Sequence, residues 1–143
     1  MNKKAKLTRV LIVEDDRDTN ELVALIMKDA GFETVSALDG REGLDKARDD
    51  EPDIIILDLM LPEIDGLEVC RRLSADEKTK SIPIIILTAK RELSTKLSSF
   101  VAGAKRFVTK PFDSNDLLIE INRTLRQKEL QANDVRSSIE PRD

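Results

Sequence analysis

Residues 9–13 (RVLIV), 34–37 (TVSA), 53–57 (DIIIL), 82–87 (IPIIIL) and 106–109 (RFVT) are short, strand-length runs separated by longer amphipathic stretches. The first, third and fourth are almost continuously apolar. A strand with one wet face alternates apolar with polar, whereas a strand covered on both faces does not, so these runs read as central strands of a parallel sheet. Leu22, Leu25, Ile26 and Ala30 recur at helical spacing and end at Gly31, with Asp16 or Asp18 as the cap. Residues 40–48 form a short helix after Asp39, and Leu67, Cys70 and Leu73 mark a third. Leu93, Leu97, Phe100 and Val101 mark a fourth, and Asp113 caps a fifth whose buried stripe is Leu117, Ile121 and Leu125. A β-α repeat with short connections predicts an α/β fold: a doubly wound, five-stranded parallel sheet with helices on both faces and right-handed crossovers.

A chain of 143 residues suits one domain with one core. Its net charge of −4 gives no general attraction to nucleic acid or to an anionic membrane, and no apolar run is long enough to cross a bilayer. The N-terminus is basic but lacks the apolar stretch of a secretory signal. Cys70 stands alone, which points to a reducing cytoplasm. The chain has no histidine. Histidine triads, histidine metal sites and phosphohistidine within this chain are thereby excluded, and its chemistry must rest on carboxylates, lysine, hydroxyls or a bound ion.

In a doubly wound sheet, ligands bind beyond the carboxyl ends of the strands. Glu14, Asp15 and Asp16 follow the first run, Asp58 the third, Thr88 the fourth and Lys110 the fifth. If the first, third, fourth and fifth strands are neighbours, these groups share one surface. Carboxylates from adjacent strands repel unless a positive charge lies between them. A hard divalent cation, Mg²⁺, fits an all-oxygen site of Asp15, Asp58 and a carbonyl from the following loop, with Glu14 acting through water. Lys110 supplies a second positive charge. A carboxylate so placed can attack phosphorus, with positioning and charge neutralisation doing most of the work.

Taken singly, each residue has a plainer use. An acidic triplet after a strand is usually a loop or helix cap, Thr88 a strand-end hydroxyl, Lys110 a solvated lysine and Cys70 core packing. Acid, acid, hydroxyl and amine at four separate strand ends is what favours a site.

The segments VLIVEDD, LDLMLPEIDG, IIILTA and FVTKPF, in this order and spacing, resemble response-regulator receiver domains of two-component signalling, over Arg9 to Leu125. The resemblance implies the flavodoxin-like strand order 2-1-3-4-5. It makes Asp58 the phosphoacceptor, Asp15 a direct Mg²⁺ ligand, Glu14 a ligand through water and Met60 a ligand through its backbone carbonyl. Thr88 and Phe107 become the switch pair, and Lys110 the phosphate-contacting lysine before a cis Pro111. Pro62 and Gly66 shape the loop into the third helix. It implies a partner histidine kinase or histidine phosphotransfer protein, a downstream protein target, and no enzyme activity beyond the domain's own phosphorylation and dephosphorylation. Domain limits follow as an extension over 1–8, the receiver over 9–127 and a polar tail over 128–143 that prolongs the fifth helix for a turn or two. Lys105 and Arg106 depart from the acids that many transcription-factor receivers use in a charged dimer interface. Phe107 replaces a tyrosine, and Met60 and Lys90 flank the pocket.

Other functions fit less well. A Mg²⁺-dependent aspartate-nucleophile phosphohydrolase of the haloacid dehalogenase type pairs its nucleophile with an acid two residues on, where this chain has Met60. A flavodoxin-like cofactor binder needs a phosphate loop where this chain has Glu14, Asp15 and Asp16. A scaffold that has lost its chemistry would not keep every site residue. A single-domain regulator acting by protein contact, without nucleic acid or membrane, is preferred to the receiver piece of a longer chain.

Overall fold

The computed structural model describes residues 6–139, with side chains of the last helix described through 134. Residues 1–5 of the expected extension and 140–143 of the expected tail lie outside the described residues. Five strands, β1 (Arg9–Val13), β2 (Glu33–Ala37), β3 (Ile54–Leu57), β4 (Ile84–Thr88) and β5 (Arg106–Thr109), alternate with five helices. These are α1 (Arg17–Asp29), α2 (Gly40–Asp49), α3 (Gly66–Ala75), α4 (Leu93–Val101) and α5 (Ser114–Ile139). All strand pairs are parallel, in the order β2-β1-β3-β4-β5. The α/β, doubly wound sheet expected from the apolar runs is present.

Side chains alternate across a strand, so a continuously apolar strand feeds two cores. Leu11, Val13, Ile55, Leu57, Ile84 and Ile86 join one cluster with Ala47 of α2 and with Val69, Cys70 and Leu73 of α3. Val10, Ile12, Ile54, Ile56, Ile85 and Leu87 join the other with Val23, Ala24 and Met27 of α1 and with Leu117 and Ile121 of α5. Each buried Ile or Leu contributes roughly 1.5–3 kcal/mol, and β1, β3 and β4 carry nine of the twelve largest fully buried side chains.

Aspartates start the helices. Asp16 accepts from Thr19 N at 3.1 Å, Asp39 from Glu42 N at 2.8 Å and Asp65 from Glu68 N at 3.0 Å, each meeting an amide that the helix itself leaves unpaired. Asp113 accepts from Asn115 N at 2.7 Å at the head of α5. Gly31, with φ +96°, ends α1 in the left-handed region.

Two helix faces differ from the sequence-based expectation. In α1 the buried face is Asn20, Val23, Ala24 and Met27, while Leu22 and Leu25 are exposed. In α4 only Ser99 is buried; Leu93, Leu97, Phe100 and Val101 all face solvent. Helical spacing identifies a stripe but not which side the sheet covers. In α4 a small serine allows the close approach and the large residues stay outside. The fifth helix continues past 127 as expected and runs on to Ile139, farther than the turn or two anticipated. Residues 126–139 contain no Gly or Pro and are rich in good helix formers, so nothing local stops it.

Candidate functional site

Parallel register brings the strand ends level. Val13 pairs with Leu57, Leu57 with Ile86 and Ile86 with Phe107. The next residues on β1 and β3 are Glu14 and Asp58, so two carboxylates emerge side by side. Thr88 closes β4 opposite Thr109, and Lys110 follows directly.

Glu14 and Asp58 are 4% and 6% exposed, whereas Asp15 faces solvent. One carboxylate oxygen from each of the three lies within 4.8 Å of the others. The Lys110 ammonium donates to Asp58 Oδ2 at 2.9 Å and also to Glu14 Oε1. Met60 N–H donates to Asp58 Oδ1 at 3.0 Å, so both Asp58 oxygens have partners. These contacts answer the cost of ionised groups at the end of a buried strand. Burial pushes the Glu14 carboxyl up to about 7; its hydrogen bond to Lys110 opposes that rise and the Asp58 charge adds to it. Burial pulls the Lys110 ammonium down, but its bonds to Glu14 and Asp58 outweigh this and the net direction is upward. One lysine beside three acids leaves negative charge uncompensated. The donor set, all oxygen and partly open to water, fits a hard divalent cation.

Gly66 sets the approach of α3. A Cβ there would lie 2.2 Å from Asp58 O and 2.4 Å from Leu59 Cα, so the helix start presses on the chain that carries Asp58. Gly66 N donates to Leu59 O at 2.9 Å and holds that contact. The Thr88 side chain is fully buried, and its hydroxyl oxygen accepts a long bond of 3.4 Å from Lys90 N. Phe107 is half-buried against the core cluster that includes Ile86 and Ala104. Met60 points its side chain outward, 54% exposed, and Lys90 is exposed. The Lys110–Pro111 peptide bond is cis. Glu14, Asp15, Asp58 and Lys110 thus form one cluster, with Thr88 at the adjoining strand end.

The family model described as the response regulator receiver domain matches residues 10–122. This chain belongs to that family. The receiver is 40% identical over 121 residues to the "DNA-binding dual master transcriptional regulator RpaA" of Synechocystis sp., covering 85% of this chain and 50% of that protein. It is 40% identical over 122 residues to "Response regulator ArlR" of Staphylococcus aureus, covering 85% of this chain and 54% of that protein. The chain therefore spans about half the length of these curated relatives. Among solved structures, a CheY-like response regulator receiver domain protein from Methanospirillum hungatei superposes with a TM-score of 0.83 at 28% identity, over 88% of this chain and 99% of that one. The chemotaxis response regulator CheY4 of Vibrio cholerae gives 0.79 at 32% identity, over 83% and 99%. The flavodoxin-like strand order 2-1-3-4-5 expected from the resemblance is the order observed.

One buried residue beneath this cluster has no counterpart in the sequence-based expectation. Asn20 is 3% exposed, and its side-chain amide donates to Glu14 O and to Ala37 O, each at 3.1 Å. Its signal in the sequence is the spacing of Asn20, Val23, Ala24 and Met27, which puts a carboxamide on the buried stripe of α1. No described helix is long and apolar enough to cross a membrane.

Proposed function

We propose that this receiver is a phosphorylation switch in which Asp58 accepts a phosphoryl group from the histidine of a partner kinase or phosphotransfer protein. The observation that carries this reading is the single cluster of Glu14, Asp15 and Asp58 with the Lys110 ammonium 2.9 Å from Asp58 Oδ2. Asp15, Asp58 and the Met60 backbone carbonyl would hold Mg²⁺, with Glu14 acting through water. The ion supplies charge neutralisation on the transferring phosphoryl group. An Asp58 oxygen forms the bond to phosphorus as the bond to the donor's imidazole nitrogen breaks, and the imidazole leaves with that electron pair. Lys110 follows the negative charge from the carboxylate to the phosphoryl oxygens. Hydrolysis of the acyl phosphate ends the signal.

The added dianion is what the fold reads. The Thr88 hydroxyl, which accepts a long bond from Lys90 N, turns toward a phosphoryl oxygen, and Phe107 moves inward behind it. Output is by contact with a downstream protein. Chemistry stops at the receiver's own phosphorylation and dephosphorylation, because Met60 stands where a phosphohydrolase keeps its acid. We place the chain in the cytoplasm, where Cys70 stays a thiol; burial lifts that thiol to about 11 and leaves it inert.

Incubation with acetyl phosphate and Mg²⁺, followed by mass spectrometry, tests the assignment. The expected adduct lies on Asp58 and disappears both in Asp58→Ala and on chelation of Mg²⁺. Full labelling of Asp58→Ala, or labelling indifferent to chelation, overturns it.

A further inference from the structure

Asn20 lies beneath the acidic pair rather than in it. It belongs to α1, and its backbone N–H donates to Asp16 O at 2.9 Å as part of the helix start. Its side-chain amide has two hydrogens and two acceptors at 3.1 Å: Glu14 O, just past β1, and Ala37 O, the last carbonyl of β2. A third carbonyl, Ile12 O, lies at 3.5 Å, the limit of such a bond. Ala37 O also accepts from Glu14 N at 3.0 Å. The backbone of Glu14 is thus held on both sides, its N–H by β2 and its C=O by Asn20. The Glu14 carbonyl belongs to the same planar peptide unit as the Asp15 N–H. Whatever fixes that carbonyl fixes the plane from which Asp15 starts. Asp15 needs such a support, because its own side chain is exposed.

We infer that Asn20 is a positioning residue for the divalent-cation site: by clamping the Glu14 carbonyl to the end of β2, it sets the direction in which the Asp15 carboxylate meets the ion. The inference rests on the cation-dependent switch proposed above and adds a residue to it. Asn20 touches neither ion nor phosphoryl group. Without its amide, Glu14 O loses its buried donor while Ala37 O keeps only the Glu14 N–H, so the Glu14–Asp15 peptide plane is held from one side and the acids lose their preset geometry while remaining in place.

Isothermal titration of Mg²⁺ into the metal-free full chain tests this, with Asn20→Leu (near in shape, no donor) and the milder Asn20→Ser. Val23→Ala serves as a control that loosens the same helix without touching the Glu14 backbone. Asn20→Leu should weaken Mg²⁺ binding by about tenfold or more, the range typical of groups that orient metal ligands. Val23→Ala should bind as the wild type does. Acetyl phosphate labelling of Asn20→Leu should return to near the wild-type rate at saturating Mg²⁺, and its Asp15 amide resonance should shift in metal-free protein where that of Val23→Ala does not. If Asn20→Leu does not fold, Asn20→Ser is read by the same titration. Wild-type Mg²⁺ affinity in a folded Asn20 variant overturns the inference and leaves the switch standing, as does equal loss of affinity in Val23→Ala. A wild-type chain that takes up no Mg²⁺ overturns both.

Discussion

At the amino end of β1, Arg9 pairs with Glu33 at 3.1 Å, takes the Asp53 carboxylate on its backbone N–H at 2.8 Å and reaches the Asp50 carbonyl. At the carboxyl end of the same sheet, Lys110 pairs with Asp58 and Glu14. Both ends join a base to acids brought from distant parts of the chain. They differ in the burial of the acids: the Arg9 and Lys110 side chains are 24% and 22% exposed, but Glu33 is 41% exposed against 6% and 7% for Glu14 and Asp58. The Arg9 cluster sits in the wetter setting and ties β1 to β2. The Lys110 cluster holds two dry acids with a third, exposed Asp15 beside them, so its excess negative charge remains available to an ion and to a phosphoryl group. The same residue types make a clip at one edge and a site at the other.

Removing the base from each end separates the two most sharply. Lys110→Met leaves two buried carboxylates without their cation and should cost about 3 kcal/mol in urea unfolding of metal-free protein. Added Mg²⁺ should restore part of that loss. A cost under about 1 kcal/mol would mean that the carboxyl-end cluster is as wet as the other.

The pH dependence is the next largest effect. Glu14 in the folded chain is raised from 4.5 to about 7, so between those values the folded state binds more protons than the unfolded one. Its contribution to stability is complete below pH 4.5 and is lost as pH rises through about 7. Asp16, Glu42 and Glu68 shift downward instead, and their contributions change below that window. In metal-free protein, melting temperature compared between wild type and Glu14→Gln should show the wild type losing ground from pH 5 to 7.5. Parallel curves would remove Glu14 from the dry cluster.

Arg9→Met should have the smallest effect, about 0.5–1 kcal/mol in the same unfolding experiment, and 1 M salt should diminish it. A loss as large as that of Lys110→Met would erase the distinction between the two ends.

Much of this was legible in the chain. The unbroken apolar runs of β1, β3 and β4 announced a sheet covered on both sides, because a strand buried twice has no polar face to show. Asp39, and Asp16 or Asp18, announced helix starts, because a short carboxylate meets amides that a helix leaves open; Asp65 does the same for α3 but is not among the expected caps. Asp58 and Thr88 could be placed at strand ends by following those runs, and Lys110 by following the shorter run of β5. The faces of α1 and α4 could not be read, since Leu22, Leu25, Leu97 and Val101 satisfy helical spacing whether the sheet or the solvent lies beneath them.

The sequence by itself determined the alternation of strands and helices, the exclusion of histidine chemistry and the identity of the groups available for reaction. Those properties follow from local spacing and from side-chain chemistry. Tertiary structure alone decided that Lys110 reaches two acids at once, that Gly66 must be bare against Asp58 O, and that Asn20 spans the ends of β1 and β2. Each depends on strand register and on the depth at which a helix settles, and both are set by packing between segments far apart in the chain.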